Sequence, residues 1–446
     1  MSNEVSARLA SRLVTLDAAD VPASTLHAAR RCLIDAVGCA AAGQAHPATS
    51  MALRWAELTF PAGSSGVWFS ERCLSPVGAA YVNATATSIL DLDDGHRVAA
   101  GHPGAAIIPA VLAEAQQRNS SLQEMLLAIV AGYEVGVACA SMRSAAAQAT
   151  VATGRWSAIG VAAAVAKLRG FDATRTQHAL TIAESHAPNL LAADHSGFRG
   201  GDLKEGIPWS VIAGFSAAGL AEVGMRGYDS SFSNPGMYRD WGDASSNPGR
   251  FFIDTTYFKR YACCRWMHSA VDAAIDLIRE LPHDAVVRGI SIETFTRAAT
   301  LPNQPCPVDL ISAQFSVPFA VAVGVMLGAD ALLQLDLDAL IADPRIVELA
   351  EKVHVKVDDQ LDAMYPLKVP ARVHLDSTRG VVSKLVISPV GDFDNPLPDQ
   401  SLLEKATRLS ERNEVRLPAH FLEALLAGNC PSQELFEALN SVVESR

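Results

Sequence analysis

Apolar residues recur at helical spacing through most of the first half of the sequence. The stretch Ser24–Ala42 shows this spacing and is followed by Gly43, a residue type that commonly ends helices. The same pattern recurs in four further segments: Leu122–Ala140, Ala158–Leu168, Thr174–Ser185 and Pro208–Met225. Hydrophobic residues make up 49% of the chain but aromatic residues only 6%, which favours closely packed, Ala-rich helices over a β-sandwich. We therefore predict a helical domain.

The pattern changes after about residue 255. Apolar and polar residues now alternate, as in β-strands, in three segments: Val287–Ile292, Val353–Val357 and Val373–Val386. Helical patterns lie between and after these strands, at Ile311–Leu333, Pro344–Lys352 and from Pro398 onward. The sequence therefore predicts a mainly α fold: a large all-helical domain, residues 1–255 and 396–446, and a smaller α+β domain, residues 256–395.

The formal net charge of −12 argues against a nucleic-acid partner, because no basic stripe is available to replace counterions along a phosphate backbone. An anionic small molecule would need a local cluster of cationic side chains. Met1–Arg12 lacks the apolar core of a signal peptide, and polar residues interrupt Leu310–Ala329, so we expect neither export nor a membrane partner. The cysteines form no repeated CxxC pairs, which fits a cytoplasmic protein.

The densest polar cluster runs from Asp91 to His96 and continues at His102, just before an apolar helical pattern. An imidazole at the start of a helix suits a general acid or base, and the adjacent N–H groups attract anions. Asp91 and Asp94 could equally be helix-capping residues, with His102 in a turn. Two imidazoles and three carboxylates could also hold a divalent ion, but HExxH and EF-hand spacings are absent, so we predict no metal.

A second cluster places four basic side chains within the ten residues from Lys259 to His268, with Arg260 and Arg265 between them. Aromatic and sulfur-containing residues are interleaved with them, which favours a binding role over a solvated linker. A lysine in a desolvated cleft beside other cations has a lowered pKa and becomes a usable proton carrier. The adjacent Cys263 and Cys264 are either reactive thiols or, as we favour, small buried hydrophobic residues.

A third cluster is the glycine-rich stretch Arg199–Gly206, which feeds the helical pattern at Pro208. Such a turn brings backbone close to a ligand. It lacks the GxxxxGK[ST] spacing of a phosphate-binding loop, and GxGxxG is missing from the chain. We therefore predict no nucleotide or redox cofactor.

The order and spacing of these clusters resemble those of the MmgE/PrpD family, which includes 2-methylcitrate dehydratases, aconitate decarboxylases and iminodisuccinate epimerases. The resemblance is carried by Asp91–Asp94, His102–Gly104, Gly154–Ala164, Lys167–Asp172, Leu203–Gly206, Lys259–His268 and Ala313–Phe319. It implies a helical domain, an α+β lid, a cleft between them, a homodimer and no cofactor. It also implies that Asp91, His102 and Lys259 surround the substrate, a small polycarboxylate.

Several positions depart from the family pattern as we align it. Val151 replaces a histidine, Gly201 a lysine, Phe319 a tyrosine and Gly95 a threonine, while Lys204 lies one helical turn beyond Gly201. Losing a hydroxyl and an imidazole weakens the case for expelling hydroxide, a step that needs a proton donor at the leaving group.

The remaining groups suit an epimerase of the iminodisuccinate type. His102 and a lysine, Lys204 or Lys259, would move the α-proton. Carboxylates would be clamped by three arginines, Arg155, Arg260 and Arg265. The predicted substrate-binding set is completed by Asp94, His96, His268 and Phe319. A 2-methylcitrate-type dehydratase and a non-catalytic binding protein with this fold are the alternatives.

Overall fold

The computed structural model describes residues 2–144, 147, 152–190, 201–228, 230–239, 250–333, 336–411, 415 and 417–441. Nine helices are described in the first half: α1 Ser2–Thr15, α2 Ala23–Gly43, α3 Pro47–Thr59, α4 Pro76–Ser88, α5 Gly104–Arg118, α6 Leu122–Ser141, α7 Gly154–Leu168, α8 Ala173–His186 and α9 Ile207–Glu222. A short hairpin pairs β1 Ser65–Gly66 with β2 Cys73–Leu74. The mainly helical fold expected from the sequence is confirmed.

Local sequence explains where these helices begin. Ser121 and Glu124 form a capping box at the start of α6, and the Asp172 carboxylate accepts the Arg175 N–H at the start of α8. Pro208 lies in the first turn of α9, where its missing N–H costs no hydrogen bond. Among the described residues, α6 is long and apolar enough to cross a membrane, but 89% of its most apolar window is buried inside the molecule.

The second half carries a four-stranded sheet of order β4-β3-β5-β6. Its strands are β3 Val287–Thr294, β4 Val353–Val357, β5 Ala371–Ser377 and β6 Gly380–Val386. The helices are α10 His268–Glu280, α11 Thr296–Ala299, α12 Leu310–Gln314, α13 Val317–Leu327, α14 Leu337–Ala342, α15 Pro344–Ala350 and α16 Asp359–Asp362. We call this part the lid.

The single helix predicted over Ile311–Leu333 is wrong. Helix α12 ends at Gln314, and α13 begins at Val317 after Ser316, whose hydroxyl accepts the Phe319 N–H. Pro318 explains the break, because proline cannot donate to the preceding turn and is tolerated at the start of a helix.

After the lid the chain returns to the helical domain. The final helices are α17 Asp399–Glu411, α18 Ala419–Ala427 and α19 Ser432–Asn440. Helix α17 packs on α2, and Leu402 and Ala406 lie in the same hydrophobic core as the first nine helices. The helical domain and the lid meet where Gly95 pairs with Tyr257.

Candidate functional site

Residues 89–104, which follow α4, form a buried polar loop that we call the Asp loop. Asp91 has a φ of +52°, a left-handed conformation uncommon for a residue with a side chain. Four backbone carbonyls of the loop each accept a hydrogen bond from a different side chain: Ile89 from Gln314 (3.0 Å), Asp91 from Lys259 (2.8 Å), Leu92 from Lys405 (2.8 Å) and Asp94 from His102 (2.7 Å). The loop is thereby fixed from the lid, the domain junction and the tail helix.

His102 faces the site with one defined ring nitrogen. Its Nδ1 lies 2.7 Å from the carbonyl oxygen of Asp94, and a carbonyl only accepts, so Nδ1 carries the proton. In the neutral ring Nε2 is then the basic atom. Nε2 lies 3.9 Å from Asp91 Oδ1 and 3.9 Å from Glu205 Oε1. This arrangement leaves Nε2 as the ring atom that can accept a proton.

Two lysines meet the carboxylate of Asp91. Nζ of Lys204 lies 3.3 Å from Oδ1, and Nζ of Lys259 lies 2.9 Å from Oδ2. Burial opposes the charge on Asp91, but the two ammonium groups outweigh it and lower the pKa of this carboxyl well below its usual range. Asp91 is therefore an anion that holds both lysines in place.

The expected lowering of the Lys259 pKa is wrong. Burial acts in that direction, but the carboxylates of Asp91 and Asp93 outweigh it and raise the pKa of Lys259 well above its ordinary value. The other cations of its sequence cluster lie elsewhere. Lys259 is therefore a fixed positive charge, and it is not a base at neutral pH.

The other two aspartates of the loop lie behind the site. Burial raises the pKa of Asp93 and of Asp94 to about 7. Asp94 accepts hydrogen bonds from the Gly104 N–H (3.0 Å) and the Tyr133 hydroxyl, so it caps α5 as the structural interpretation proposed. The predicted contact of Asp94 with substrate is not supported, because both of its oxygens are occupied.

The family models match most of the chain. The MmgE/PrpD N-terminal domain matches residues 7–244, and the MmgE/PrpD C-terminal domain matches residues 261–416. The chain belongs to the MmgE/PrpD family.

Its relatives within the family carry names that describe enzymes. Cis-aconitate decarboxylase of Aspergillus terreus is 25% identical over 426 residues, 88% of this chain and 86% of that protein. Cis-aconitate decarboxylase-like protein oryM of Aspergillus oryzae is 23% identical over 441 residues, 91% of this chain and 90% of that protein. Human cis-aconitate decarboxylase is 26% identical over 353 residues, 73% of this chain and 71% of that protein. These MmgE/PrpD enzymes act on a small polycarboxylate.

Positions where this MmgE/PrpD chain departs from the family pattern are spread over the molecule. A side chain at Gly95 would collide with the Tyr257 ring, which lies 2.3 Å from the place of its Cβ. Phe319 is fully buried in the lid core, so its predicted substrate contact is not supported. Gly201 is exposed. Val151, Arg199 and Gly200 lie outside the described residues.

Two arginines predicted to clamp substrate are paired elsewhere. Arg155 binds the Glu184 carboxylate and the Ala187 carbonyl between α7 and α8. Arg260 lies 3.4 Å from Asp272 and borders a groove on another face of the lid. Neither is brought to Asp91, because each has an acidic partner on its own element or on the adjacent one.

Arg265, His268 and His96 are structural in this arrangement. Arg265 lies 3.0 Å from Asp392 and 3.2 Å from Nδ1 of His268, whose Nε2 lies 3.2 Å from the Cys263 carbonyl. Nε2 of His96 lies 3.1 Å from the Phe252 carbonyl oxygen. Burial lowers the pKa of His96 to about 4 and that of His268 well below its ordinary value, so both rings are neutral.

Sequence reasoning missed Glu205, Arg143 and Tyr365. Glu205 faces His102 and accepts a hydrogen bond from the Thr153 hydroxyl, and its charge raises the pKa of Arg143 against the larger, lowering effect of burial. Tyr365, from the lid, has a smaller effect of the same direction on the pKa of Arg143. The position of Glu205 beside Lys204 was the available signal. Arg143 and Tyr365 lie far from the three clusters in sequence and gave none.

Asp91, His102 and Glu205 also form a group that could hold a metal ion, with one ligand atom from each lying within 4.8 Å of the others. The donor set is one imidazole and two carboxylates, both of which are ligand types that zinc accepts. Here both oxygens of Asp91 already contact lysine ammonium groups. Positive charge is thus supplied by the protein, and the residues present fit a divalent ion poorly.

Proposed function

We propose that the protein is a cofactor-independent epimerase of an amino-linked dicarboxylate of the iminodisuccinate type. One observation carries the proposal: His102 Nε2, which can accept a proton, and Lys204 Nζ, which can donate one, flank the same oxygen of Asp91. Two proton carriers beside one site are what inversion at a carbon next to a carboxylate requires. The conditions are met without any group outside the chain.

The proposed reaction conserves protons and electrons. Nε2 of His102 removes the α-proton, and the electron pair of the broken C–H bond moves into the carboxylate as enolate-like charge. Lys204 then returns a proton to the opposite face of the carbon. The enzyme is left with protonated His102 and neutral Lys204, the form that catalyses the reverse direction or regains its first state by exchange with water.

Lys259 supplies the electrostatic part of the proposal. Its raised pKa keeps the ammonium charged, and Asp91 fixes its position before substrate arrives. A preorganised charge stabilises developing negative charge without the cost of reorienting solvent. Arg143, a buried guanidinium whose pKa is affected by the charge of Glu205, replaces the sequence-predicted arginine clamp as the candidate for holding a second carboxylate.

A lyase reaction is the second candidate, and the names of the relatives favour it. In decarboxylation the C–C bond to a carboxylate breaks, carbon dioxide leaves, and the carbon takes a proton; Lys204 could deliver that proton. Dehydration is less well supported, because Gly95 and Phe319 supply no hydroxyl to protonate a leaving hydroxide. A non-catalytic binding protein is the third possibility, and the homodimer expected from the family stays a prediction.

Proton NMR in deuterated water separates these candidates. Purified protein is incubated with single isomers of iminodisuccinate, with cis-aconitate and with 2-methylcitrate. Deuterium uptake at the α-carbon together with isomer interconversion supports the epimerase. Loss of carbon dioxide from cis-aconitate, or of water from 2-methylcitrate, with iminodisuccinate unchanged, overturns it. Saturable binding with no exchange on any substrate supports the binding protein.

A further inference from the structure

Lys405 lies on the tail helix α17, more than three hundred residues from the loop that it contacts. Its Nζ donates to the Leu92 carbonyl at 2.8 Å and lies 2.7 Å from Asp35 Oδ1 on α2. The two side chains are 5% and 0% exposed. Such an ion pair contributes little net stability compared with apolar residues, so a role other than stability can explain it.

The Leu92 carbonyl lies next to a residue of the site with a left-handed backbone conformation. Asp91 is held at a φ of +52°, a strained conformation that persists only where surrounding contacts over-determine it. Lys259 binds the carbonyl of Asp91, and Lys405 binds the next carbonyl along the chain. The two ammonium groups therefore fix successive peptide groups and, with them, the direction of the Asp91 side chain.

Helix packing fixes the position of Lys405 itself. A Cβ at Gly38 of α2 would lie 2.9 Å from Cα and Cβ of Ala406, the residue after Lys405. The two helices therefore touch through backbone at this level, and α17 cannot tilt toward α2 or away without losing the Asp35 contact. The ammonium group is presented to Leu92 from a rigid support.

We propose that Lys405 is a positioning residue, which acts through the Leu92 carbonyl to hold Asp91 between Lys204 and Lys259. The expected effect of Lys405 on the reaction rate rests on the proposed function. The expected effect of Lys405 on the order of the Asp loop is independent of it.

The test replaces the buried ion pair of Asp35 and Lys405 with apolar side chains of similar volume. The variant Asp35→Leu with Lys405→Met is compared with the control Glu114→Leu with Arg169→Met. The control removes another ion pair of the helical domain, formed by the buried Glu114 and the partly buried Arg169, whose Nε–Oε1 distance is 2.8 Å. The hydrogen bonds and ion pairs of these two residues do not involve residues 89–94. Hydrogen exchange of peptides covering residues 89–104 is measured by mass spectrometry. We expect exchange at least about tenfold faster in the test variant and unchanged in the control.

Kinetics give the second readout. We expect kcat to fall about 100-fold in the test variant, because a displacement of about 1 Å at a catalytic group has an effect of this size. The pH dependence of kcat should also shift, since Asp91 sets the charge environment of His102 and Lys204. If the substitutions only lowered the fraction of folded protein, kcat would fall by the same factor at every pH and its pH profile would be unchanged.

Each outcome decides something. Unchanged loop exchange in the test variant overturns the positioning role, whatever the activity. Faster loop exchange in the test variant, together with no turnover of any candidate substrate by the wild type, keeps the positioning role and refutes the proposed function. If the apolar pair does not fold, Asp35→Asn with Lys405→Gln replaces it. Its neutral side chains remain polar, but Gln is one bond shorter than Lys, and the same acceleration is expected.

Discussion

The Asp loop and the basic segment Lys259–His268 are equally polar in sequence, yet the structure uses them differently. The Asp loop brings Asp91 and His102 to one point, with every carbonyl discussed above bound to a side chain. Of the four basic side chains in the basic segment, only Lys259 reaches that point. Arg265 and His268 bind each other within the domain junction.

The difference teaches that charges adjacent in sequence share a site only when the backbone turns them to one side. Lys259 and its neighbour Arg260 are 0% and 33% exposed, and they bind different aspartates. The Asp loop brings Asp91 and His102 together only with Asp91 in a strained, left-handed backbone conformation. The following predictions test this contrast.

The largest effect is expected for the histidines of the two segments. His102→Gln removes the proposed base, so turnover should fall about 1000-fold, within the usual range for general bases. His268→Gln should change turnover no more than about threefold, because its ring is neutral and bound within the junction. Initial rates of deuterium exchange measure both. Equal losses in the two variants would contradict the contrast.

The adjacent cations offer a matched pair. Lys259→Met should lower kcat about 100-fold, because it removes a preorganised charge and one of the two ammonium partners of Asp91. Arg260→Met should leave kcat within about twofold. Steady-state kinetics on both variants, with thermal melting to check folding, tests this. A large kcat loss in Arg260→Met would return that arginine to the site.

The two segments should also respond oppositely to pH. Burial raises the pKa of Asp93 from 3.8 to about 7, so unfolding releases a proton between these values and stability falls as pH rises. Asp93→Asn cannot release it. Relative to the wild type, this variant should therefore gain about 2 kcal/mol between pH 5 and 7.

The junction provides the control for that measurement. Burial lowers the pKa of His268 below 6.5, so the unfolded wild type takes up a proton as pH falls. Relative to the wild type, His268→Gln should gain stability toward lower pH, the opposite direction. Urea unfolding at several pH values gives both difference curves. Curves of the same sign would show that the burial of one group is misassigned.

The smallest effect concerns the residue that joins the two segments. Asp392 binds Arg97 of the Asp loop (Nε–Oδ2 3.1 Å) and Arg265 of the junction (3.0 Å). Asp392→Asn keeps the shape but removes the charge, so the free energy of unfolding should fall by about 1.5 kcal/mol. Glu293→Gln, which affects the more exposed Arg372 pair on the sheet, should cost under about 1 kcal/mol. Urea unfolding compares them.

The sequence predicted the helices and strands better than it predicted which side chains meet at the site. The helices at Ser24–Ala42 and Leu122–Ala140 and the strands within Val373–Val386 appear within a residue or two of their predicted positions, because periodicity reports burial of one face. The break between α12 and α13 at Phe315 was not predicted, because periodicity alone does not show that Pro318 lies in the first turn of a new helix. Asp91 and His102 were found because they are close in sequence, whereas the acidic partners of Arg155 and Arg260 were not anticipated.

The return of the tail to the first domain has a consequence for synthesis. Helix α17 leaves the ribosome after the whole lid, yet it supplies Lys405 to a loop made more than three hundred residues earlier. Until then Asp35 is without its ammonium partner, and the groove on α2 that receives α17 is uncovered. Because domains tend to fold as they emerge, the nascent chain must form its lid on an unfinished helical domain, and the Asp loop acquires its final support among the last steps of folding.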